Sequence, residues 1–174
     1  DRTASFAIPD NVTVMCGYAG YGASNPDARN VDTYPTILSG DLKGNDLWGI
    51  LNISENSYHV VSASGSGTLD GATITSGNAD GSGDNGCGGG VFLKSSSLWI
   101  NACKIRGNKA DFGAGVACLE GVEPVLINTE ITGNWAWIFG GCLYNDDANV
   151  EMTNCLITGN TAGGADILGG DAIL

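Results

Sequence analysis

The stretch Ile105-Arg-Gly-Asn108 recurs as Ile131-Thr-Gly-Asn134 and as Ile157-Thr-Gly-Asn160, each time 26 residues further along the chain. A fourth copy, Ile74-Thr-Ser-Gly-Asn78, lies 31 residues upstream and is aligned with one extra residue before its asparagine. A second series of glycine-rich segments interleaves with the first at spacings of 25 and 27 residues, which average to the same period: Gly88-Gly-Gly-Val91, Gly113-Ala-Gly-Val116 and Gly140-Gly-Cys-Leu143. Repetition at this period predicts stacked structural repeats.

Inside each copy apolar residues alternate with polar ones, and no helical run of apolar residues is long enough to form a helix. The pattern predicts an all-β fold, a right-handed parallel β-helix (β-solenoid) with about 26 residues and about three short strands per turn. Residues one period apart then lie about 4.8 Å from each other along the axis.

This stacking predicts ladders of equivalent residues. One interior ladder consists of Ile105, Ile131 and Ile157, and it packs across the core against Val91, Val116 and Leu143. A second contains Asn108, Asn134 and Asn160 at a bend, where we expect left-handed backbone and amide hydrogen bonds between turns. Asn128 and Asn154 form a further bend of this kind, and Lys104 and Glu130 are placed for an ion pair.

The length of 174 residues fits one domain. We predict a single β-helix domain over 1–174, with irregular entry turns in 1–65 and regular repeats in 66–174. The polar, glycine-rich stretch 80–86 lengthens one repeat to 31 residues. Short β-rich segments in the entry part are predicted at Phe6–Ile8, Val12–Cys16, Thr36–Leu38 and Tyr58–Val61.

Composition narrows the classes of protein. The chain has 28 glycines but 43% hydrophobic residues and no triplet period, which excludes a disordered tail and collagen. A net charge of -12 disfavours nucleic acid and anionic membrane surfaces as partners. The longest apolar stretch, Trp135 to Tyr144, is too short to cross a bilayer. The chain opens at Asp1 without an export signal, as we expect of a mature or excised chain.

The glycine-rich and aliphatic-x-x-Asn segments between residues 74 and 165 resemble the repeats of polymorphic outer-membrane proteins. They also resemble the wider right-handed parallel β-helix, pectate-lyase-like superfamily of secreted and surface proteins. The upstream segments 6–14, 34–41 and 56–61 look like the entry region of large bacterial surface β-helix proteins. This resemblance implies an extracellular or cell-surface location. The chain departs from the repeat pattern in that isoleucine replaces a frequent phenylalanine and Cys142 replaces a small residue.

The resemblance also implies which residues an enzyme of this superfamily would need: aspartates that hold calcium beside a catalytic Arg or Lys, or several aspartates with a histidine. The only arginines are Arg2, Arg29 and Arg106, and Arg106 has no matching column of carboxylates. We assign the single histidine, His59, a structural role. We therefore predict no catalytic residues and no enzyme, with a polysaccharide lyase or hydrolase as the alternative.

The sequence offers two candidate ligand sites. Asp80, Ser82 and Asp84 alternate as calcium ligands do, but the loop lacks the sixth-position glycine and the closing glutamate, so we favour a solvated loop and no cofactor. Exposed aromatic residues are a candidate surface for sugar rings or a protein partner, or they pack over their own turn; they are Trp99, Trp135, Trp137 and Phe139.

The cysteines give no metal-binding spacing. Cys103 and Cys155 share an inward column but are separated by Thr129, too far apart for a disulfide. A disulfide among the remaining four stays open; these are Cys16, Cys87, Cys118 and Cys142.

The segment Gly169-Gly-Asp-Ala-Ile-Leu174 begins what looks like another repeat. We expect self-association through the two ends of the solenoid, with Phe6 and Ile8 at one end and Gly170, Ala172, Ile173 and Leu174 at the other. The resulting hypothesis is a non-catalytic extracellular structural or adhesive protein whose turns continue within a longer chain or from copy to copy in a fibre. The alternatives are a carbohydrate-binding or polysaccharide-cleaving module and an autotransporter-type adhesin passenger.

Overall fold

The computed structural model describes residues 1–47, 51–164, 167–168 and 171–173. The chain is all-β and forms a parallel β-solenoid of about four turns with about 27 residues per turn. One short 3-10 helix spans Gly83–Gly86. The described strands, in chain order, are β1 (Phe6–Ile8), β2 (Thr13–Met15), β3 (Thr36–Ser39), β4 (Val61–Ala63), β5 (Gly67–Asp70), β6 (Ala72–Thr75), β7 (Asn78–Ala79), β8 (Val91–Lys94), β9 (Leu98–Asn101), β10 (Lys104–Arg106), β11 (Lys109–Phe112), β12 (Val116–Leu119), β13 (Val125–Ile127), β14 (Glu130–Thr132), β15 (Trp135–Phe139), β16 (Leu143–Asp146), β17 (Asn149–Thr153), β18 (Leu156–Thr158), β19 (Thr161–Ala162), β20 (Ile167–Leu168) and β21 (Asp171–Ile173).

The strands pair into four parallel sheets that run along the solenoid. Sheet 1 has the order β1-β4-β8-β12-β16-β20, and sheet 2 the order β2-β5-β9-β13-β17-β21. Sheet 3 contains β3, β6, β10, β14 and β18, and sheet 4 contains β7, β11, β15 and β19. A complete turn such as β8 to β11 therefore has four strands, one more than predicted, because the bend at Asn108 separates sheet 3 from sheet 4.

The predicted registers are confirmed. Ile105 pairs with Ile131, which pairs with Ile157, and Val116 pairs with both Val91 and Leu143. These side chains are fully buried except for Ile157, and they belong to one continuous apolar core. Adjacent turns lie so close together that glycine is required between strands β11 and β12. A Cβ atom on Gly115 would lie 2.5 Å from the carbonyl oxygen of Cys142.

The asparagine ladder is also confirmed, and its hydrogen bonds run between turns. The Oδ1 atom of Asn134 accepts from the backbone N–H and from the side-chain amide of Asn108, each at 3.0 Å. The Oδ1 atom of Asn160 does the same for Asn134, at 3.1 and 3.0 Å. The expectation of left-handed backbone at these asparagines is wrong, because the glycine before each one takes that conformation, with φ between 63° and 64° at Gly107, Gly133 and Gly159.

At the other asparagine bend, the outer ladder of Asn128 and Asn154, the backbone is left-handed as predicted. Asn128 and Asn154 have φ values of 51° and 53°, and the amide of Asn154 donates to Oδ1 of Asn128 at 2.6 Å. The equivalent position one turn earlier is Ala102, with φ 48°. Asparagine adopts this conformation more readily than alanine, because its short polar side chain bonds locally.

The alignment of the fourth copy needs a correction. Ile74 pairs with Ile105 and Asn78 pairs with Lys109, so no extra residue precedes Asn78. Gly77 occupies the ladder position instead, and its N–H donates to Oδ1 of Asn108 at 3.0 Å. The side chain of Asn78 bonds elsewhere, to the carbonyl oxygen of Ile53.

The entry part is irregular between its strands, yet it completes a turn of the solenoid. Strands β1, β2 and β3 pair with β4, β5 and β6 respectively. The strand predicted to begin at Tyr58 begins only at Val61. Before it, the N–H of Tyr58 donates to the carbonyl oxygen of Arg2 and the N–H of Val60 donates to that of Gly89, so these residues do not share one strand ladder. The predicted ion pair of Lys104 with Glu130 is replaced by one with Asp32, at 2.6 Å, which the entry loop brings over the same sheet. In the described part of the chain, no helix has the length and apolar character needed to cross a membrane.

Candidate functional site

The amino-terminal end of the solenoid exposes part of the interior. Phe6 stands in register with Val61, so it belongs to the interior column of sheet 1, yet 48% of its surface is exposed. Beside it lies a cavity of about 260 Å³ lined by Ala4, Ser5, Phe6, Ser39, Leu42, Ser57 and Val60. Ile8, two residues along the same strand, is only 3% exposed. Of the two residues predicted for self-association at this end, only Phe6 is accessible.

Of the other predicted self-association residues, Ala172 and Ile173 lie at the opposite end of the sheets. Ala172 and Ile173 belong to β21, whose backbone pairs with Val150 and Glu151 in β17. Gly170 and Leu174 lie outside the described residues. Phe6 and strand β21 are thus separated along the solenoid, as contact between the ends of successive copies requires.

The aromatic residues proposed as a partner or sugar surface divide between two faces. Trp99 points outward from sheet 2 and is 52% exposed. Trp135, Trp137 and Phe139 belong to β15 in sheet 4. Phe139 packs against Phe112 with ring centroids 6.4 Å apart, whereas Trp137 is 64% exposed. Packing over the turn therefore accounts for Phe139 but leaves Trp137 unexplained.

The carboxylates proposed for calcium are held by cations of the chain. Asp80 forms an ion pair with Arg2 at 2.6 Å and accepts from the amide of Asn78. Asp84, at the start of the 3-10 helix, pairs with Lys94 at 3.1 Å. Within the described ranges, no three His, Cys, Asp or Glu side chains are grouped to hold a metal ion. The calcium hypothesis stays a prediction that these contacts do not favour.

His59 has the structural surroundings expected of it. Its ring stacks on Phe92 with centroids 4.5 Å apart and planes at 17°, and Nδ1 lies 3.2 Å from the carbonyl oxygen of Gly88. Burial lowers the pKa of His59, although these backbone contacts oppose the shift. Nδ1 therefore carries the proton and donates to Gly88, and the neutral ring serves as a packing element.

The nearby thiol of Cys87 is unsuited to nucleophilic chemistry. Burial, reinforced by the charges of Asp84, Asp111 and Asp146, raises the pKa of Cys87 to about 11. A nucleophilic cysteine needs the thiolate form, which acidic neighbours disfavour. Sequence inspection alone places no partner beside Cys87, because these aspartates come from three different turns.

The inward cysteine column is structural. The thiol of Cys103 donates to the carbonyl oxygen of Leu69, and the hydroxyl of Thr129 and the thiol of Cys155 donate in the same way to Ile100 and Leu126. Burial raises the pKa of Cys103 to about 11. Cys16, Cys87 and Cys118 carry free thiols. No two of these three therefore form the disulfide that the sequence left open.

Two of the three arginines are engaged in structural contacts. Arg2 donates to the carbonyl oxygens of Asn56 and Asn78, each at 2.7 Å, and its guanidinium lies over the ring of Tyr58. Arg29 donates to the carbonyl oxygen of Cys16 and forms an ion pair with Asp70. These contacts tie the entry loops to the regular turns.

Sequence reasoning missed a polar cleft of about 390 Å³ at the corner between sheets 1 and 2. Its lining includes Asp10, Glu120 and the serines 64, 66 and 95–97. The carboxylate of Asp10 already accepts from the N–H of Ser66 at 2.8 Å. The sequence signal for this corner is the recurrence of Ser64-Gly-Ser66 as Ser95-Ser-Ser97, one long repeat apart.

Comparison of the chain with protein families, with curated proteins and with solved structures gives no match. Function is therefore inferred from the fold and from the contacts between residues.

Proposed function

We propose that this protein is a non-catalytic, extracellular or cell-surface structural and adhesive β-solenoid whose copies stack end to end. The observation that carries the proposal is the exposure of Phe6, an interior-column residue, at the outermost strand of sheet 1. An interior side chain of a solenoid is normally covered by the next turn. The occupant that matches this end is accordingly another turn of the same architecture.

The strand edges support the same occupant. Among the described strands, β1, β2 and β3 are outermost in their sheets, so each presents backbone N–H and C=O groups along one side. Unpaired edges of this type favour pairing with another chain. A parallel strand placed one spacing beyond Phe6 would satisfy the edge and bury the phenylalanine ring. Complete burial of a phenylalanine contributes about 1.5–3 kcal/mol.

The charge of the chain sets a condition on assembly. A net charge of -12 makes copies repel each other, and this repulsion is screened over about 8 Å at physiological ionic strength. Stacking should therefore strengthen as salt is added. Contact between the amino-terminal end of one copy and the carboxyl-terminal end of the next is heterologous and need not close, so filaments are the expected product.

The right-handed winding and the relationship to the pectate-lyase-like superfamily belong to this proposal as well. Their support is the repeat pattern of residues 74–165, together with the strong preference of parallel crossover connections for the right hand. The extracellular location rests on the same resemblance.

Sedimentation velocity and negative-stain electron microscopy over a range of protein and salt concentrations test the stacking. The 174-residue chain should form elongated assemblies that grow with concentration, and Phe6→Asp should abolish them. Trp99→Asp is the matched control, because Trp99 is exposed to a similar extent, 52% against 48%, but faces sideways from sheet 2. A chain that stays monomeric throughout, or assemblies that survive Phe6→Asp, would contradict stacking between copies.

A further inference from the structure

Strand β15 contains a one-residue bulge that no other strand of sheet 4 shows among the described residues. Ala110 pairs with Ala136 and Phe112 pairs with Phe139, so Asp111 alone lies opposite both Trp137 and Ile138. Both bulged residues are exposed, Trp137 at 64% and Ile138 at 41%. A bulge of this kind redirects side chains, and here it turns two consecutive apolar residues toward solvent.

The following turn is built to accept the bulge. The N–H of Gly164 donates to the carbonyl oxygen of Ile138 at 2.6 Å, and that of Gly163 donates to Ala136 at 3.3 Å. A Cβ atom on Gly163 would collide with the carbonyl oxygen of Trp137, and one on Gly164 with the ring of Phe139. Two glycines in succession thus preserve the bulge, which fixes the position of Trp137.

The bulge creates an aromatic corner, defined here by Trp135, Trp137 and Ile138. The two indole rings have centroids 4.3 Å apart and planes at 69°, so they pack edge to face against each other. Trp135 is half-buried, and the ammonium group of Lys109 lies 6.0 Å from its ring centroid. Trp137 packs on Trp135 but leaves most of its surface open to solvent.

Polar groups border this corner. Asp111 lies opposite Trp137 on the neighbouring strand, and Lys109 lies opposite Trp135. Burial, together with the charge of Asp80, raises the pKa of Asp111. Burial lowers the pKa of Lys109. Both side chains are half-buried and so partly desolvated, which strengthens the hydrogen bonds that they offer to a ligand.

We propose that the aromatic corner binds a pyranose ring of a neutral glycan. One face of such a ring consists of C–H groups that stack on an indole, while its hydroxyls bond to the carboxylate of Asp111 and the ammonium of Lys109. The net charge of -12 and the acidic group at the site disfavour uronic-acid polymers. A stable protein interface buries about 800 Å² on each partner, whereas an aromatic side chain supplies about 150–250 Å². A corner of three side chains therefore suits a sugar better than a protein.

This inference supplies the ligand for the adhesive part of the proposed function and does not depend on stacking. Affinity gel electrophoresis tests it with a panel of soluble neutral polysaccharides, namely hydroxyethyl cellulose, a galactomannan and a mixed-linkage β-glucan, with polygalacturonate as the acidic comparison. At least one neutral polymer should retard the protein. Trp137→Ala should weaken that retardation at least tenfold, while Trp99→Ala should leave it unchanged.

Two further variants separate the possible outcomes. Asp111→Asn keeps the size of the side chain and should weaken binding several-fold. The Phe6→Asp variant should retain full glycan retardation even when it no longer assembles. Circular dichroism checks that Trp137→Ala is folded, and Trp137→Phe should recover part of the retardation if the ring itself is the contact. Four results would overturn the proposal. They are no retardation by any neutral polymer, retardation by polygalacturonate alone, an equal loss of retardation in Trp99→Ala, or a change in sedimentation caused by Trp137→Ala without any change in glycan retardation.

Discussion

Removal of the Asn134 side chain should destabilise the solenoid far more than removal of the Asn160 or the Asn128 side chain. Asn134 is completely buried, and its side chain makes four hydrogen bonds: two from Asn108, one to the carbonyl oxygen of Ile105 and one to Asn160. A buried hydrogen bond contributes about 1 kcal/mol net, and a buried N–H group left without its partner costs about 1–3 kcal/mol. Since Asn134→Ala deprives the N–H of Asn108 of its partner, we expect a loss of about 3–5 kcal/mol.

Two variants provide the scale for this measurement. Asn160 is only half-buried, so water replaces part of its bonding and Asn160→Ala should cost about 1–2 kcal/mol. Asn128→Gly removes an exposed ladder amide but keeps the left-handed backbone, and it should cost less than about 1 kcal/mol. Urea unfolding followed by tryptophan fluorescence gives the three free energies of unfolding. A loss at Asn134 no greater than the loss at Asn128 would refute the ladder as a stabilising element.

Three more predictions follow from the backbone and from titration. Ala102→Asn should stabilise the protein by about 0.5–1 kcal/mol in the same urea assay, because it relieves left-handed alanine at φ 48° and extends the outer asparagine ladder; a loss of stability would contradict this. Gly115→Ala should lower the free energy of unfolding by more than about 3 kcal/mol, because its Cβ meets a backbone oxygen. Gly133→Ala, with φ 63° and open space around it, should lower it by about 1 kcal/mol. Equal losses of stability would show that adjacent turns are not this close. Because burial lowers the pKa of His59, the folded state binds a proton more weakly than the unfolded state, so stability should fall as the pH drops below about 6.5; His59→Phe should remove that part of the pH dependence, and parallel profiles would disprove it.

Much of the fold could be predicted because a solenoid repeats its own constraints. The isoleucine column occupies equivalent places in successive turns, so one spacing of 26 determines its register. The valine column follows at spacings of 25 and 27, which average to the same period. The same repetition identified the column of Cys103, Thr129 and Cys155. Local pattern and tertiary stacking agree at these positions, which is the condition under which sequence reasoning succeeds.

The errors arise where one turn differs from its neighbours. The fourth copy was misaligned because Asn78 resembles a ladder residue, while the backbone register places Gly77 there. Left-handed backbone was assigned to Asn108 instead of Gly107, since both residue types tolerate it and only the dihedral angle decides between them. Lys104 pairs with Asp32 because a long entry loop, whose path no repeat encodes, returns over sheet 3.

The candidate surfaces were predictable only in part. The repeat pattern indicated that Trp135 and Trp137 lie in one turn, but it did not predict the bulge between them and Phe139. That the irregularity exposes Trp137 while it packs Phe139 depends on the glycines of the next turn, which contact it in three dimensions. The exposure of Phe6 likewise follows from its register with Val61, which the irregular entry segment conceals.

The central claim is that residues one repeat apart lie directly above each other. Nitroxide labels on Arg106→Cys and Thr132→Cys test it most directly, because the structure pairs these two positions across adjacent turns of sheet 3. In a background with Cys87→Ser and Cys155→Ser, continuous-wave electron paramagnetic resonance should show strong spin–spin broadening, because the backbones are about 4.8 Å apart. Labels at Arg106→Cys and Thr158→Cys, two spacings or about 10 Å apart, should broaden the spectrum less. Spectra of the adjacent pair that equal the sum of the single-label spectra would contradict the stacked solenoid.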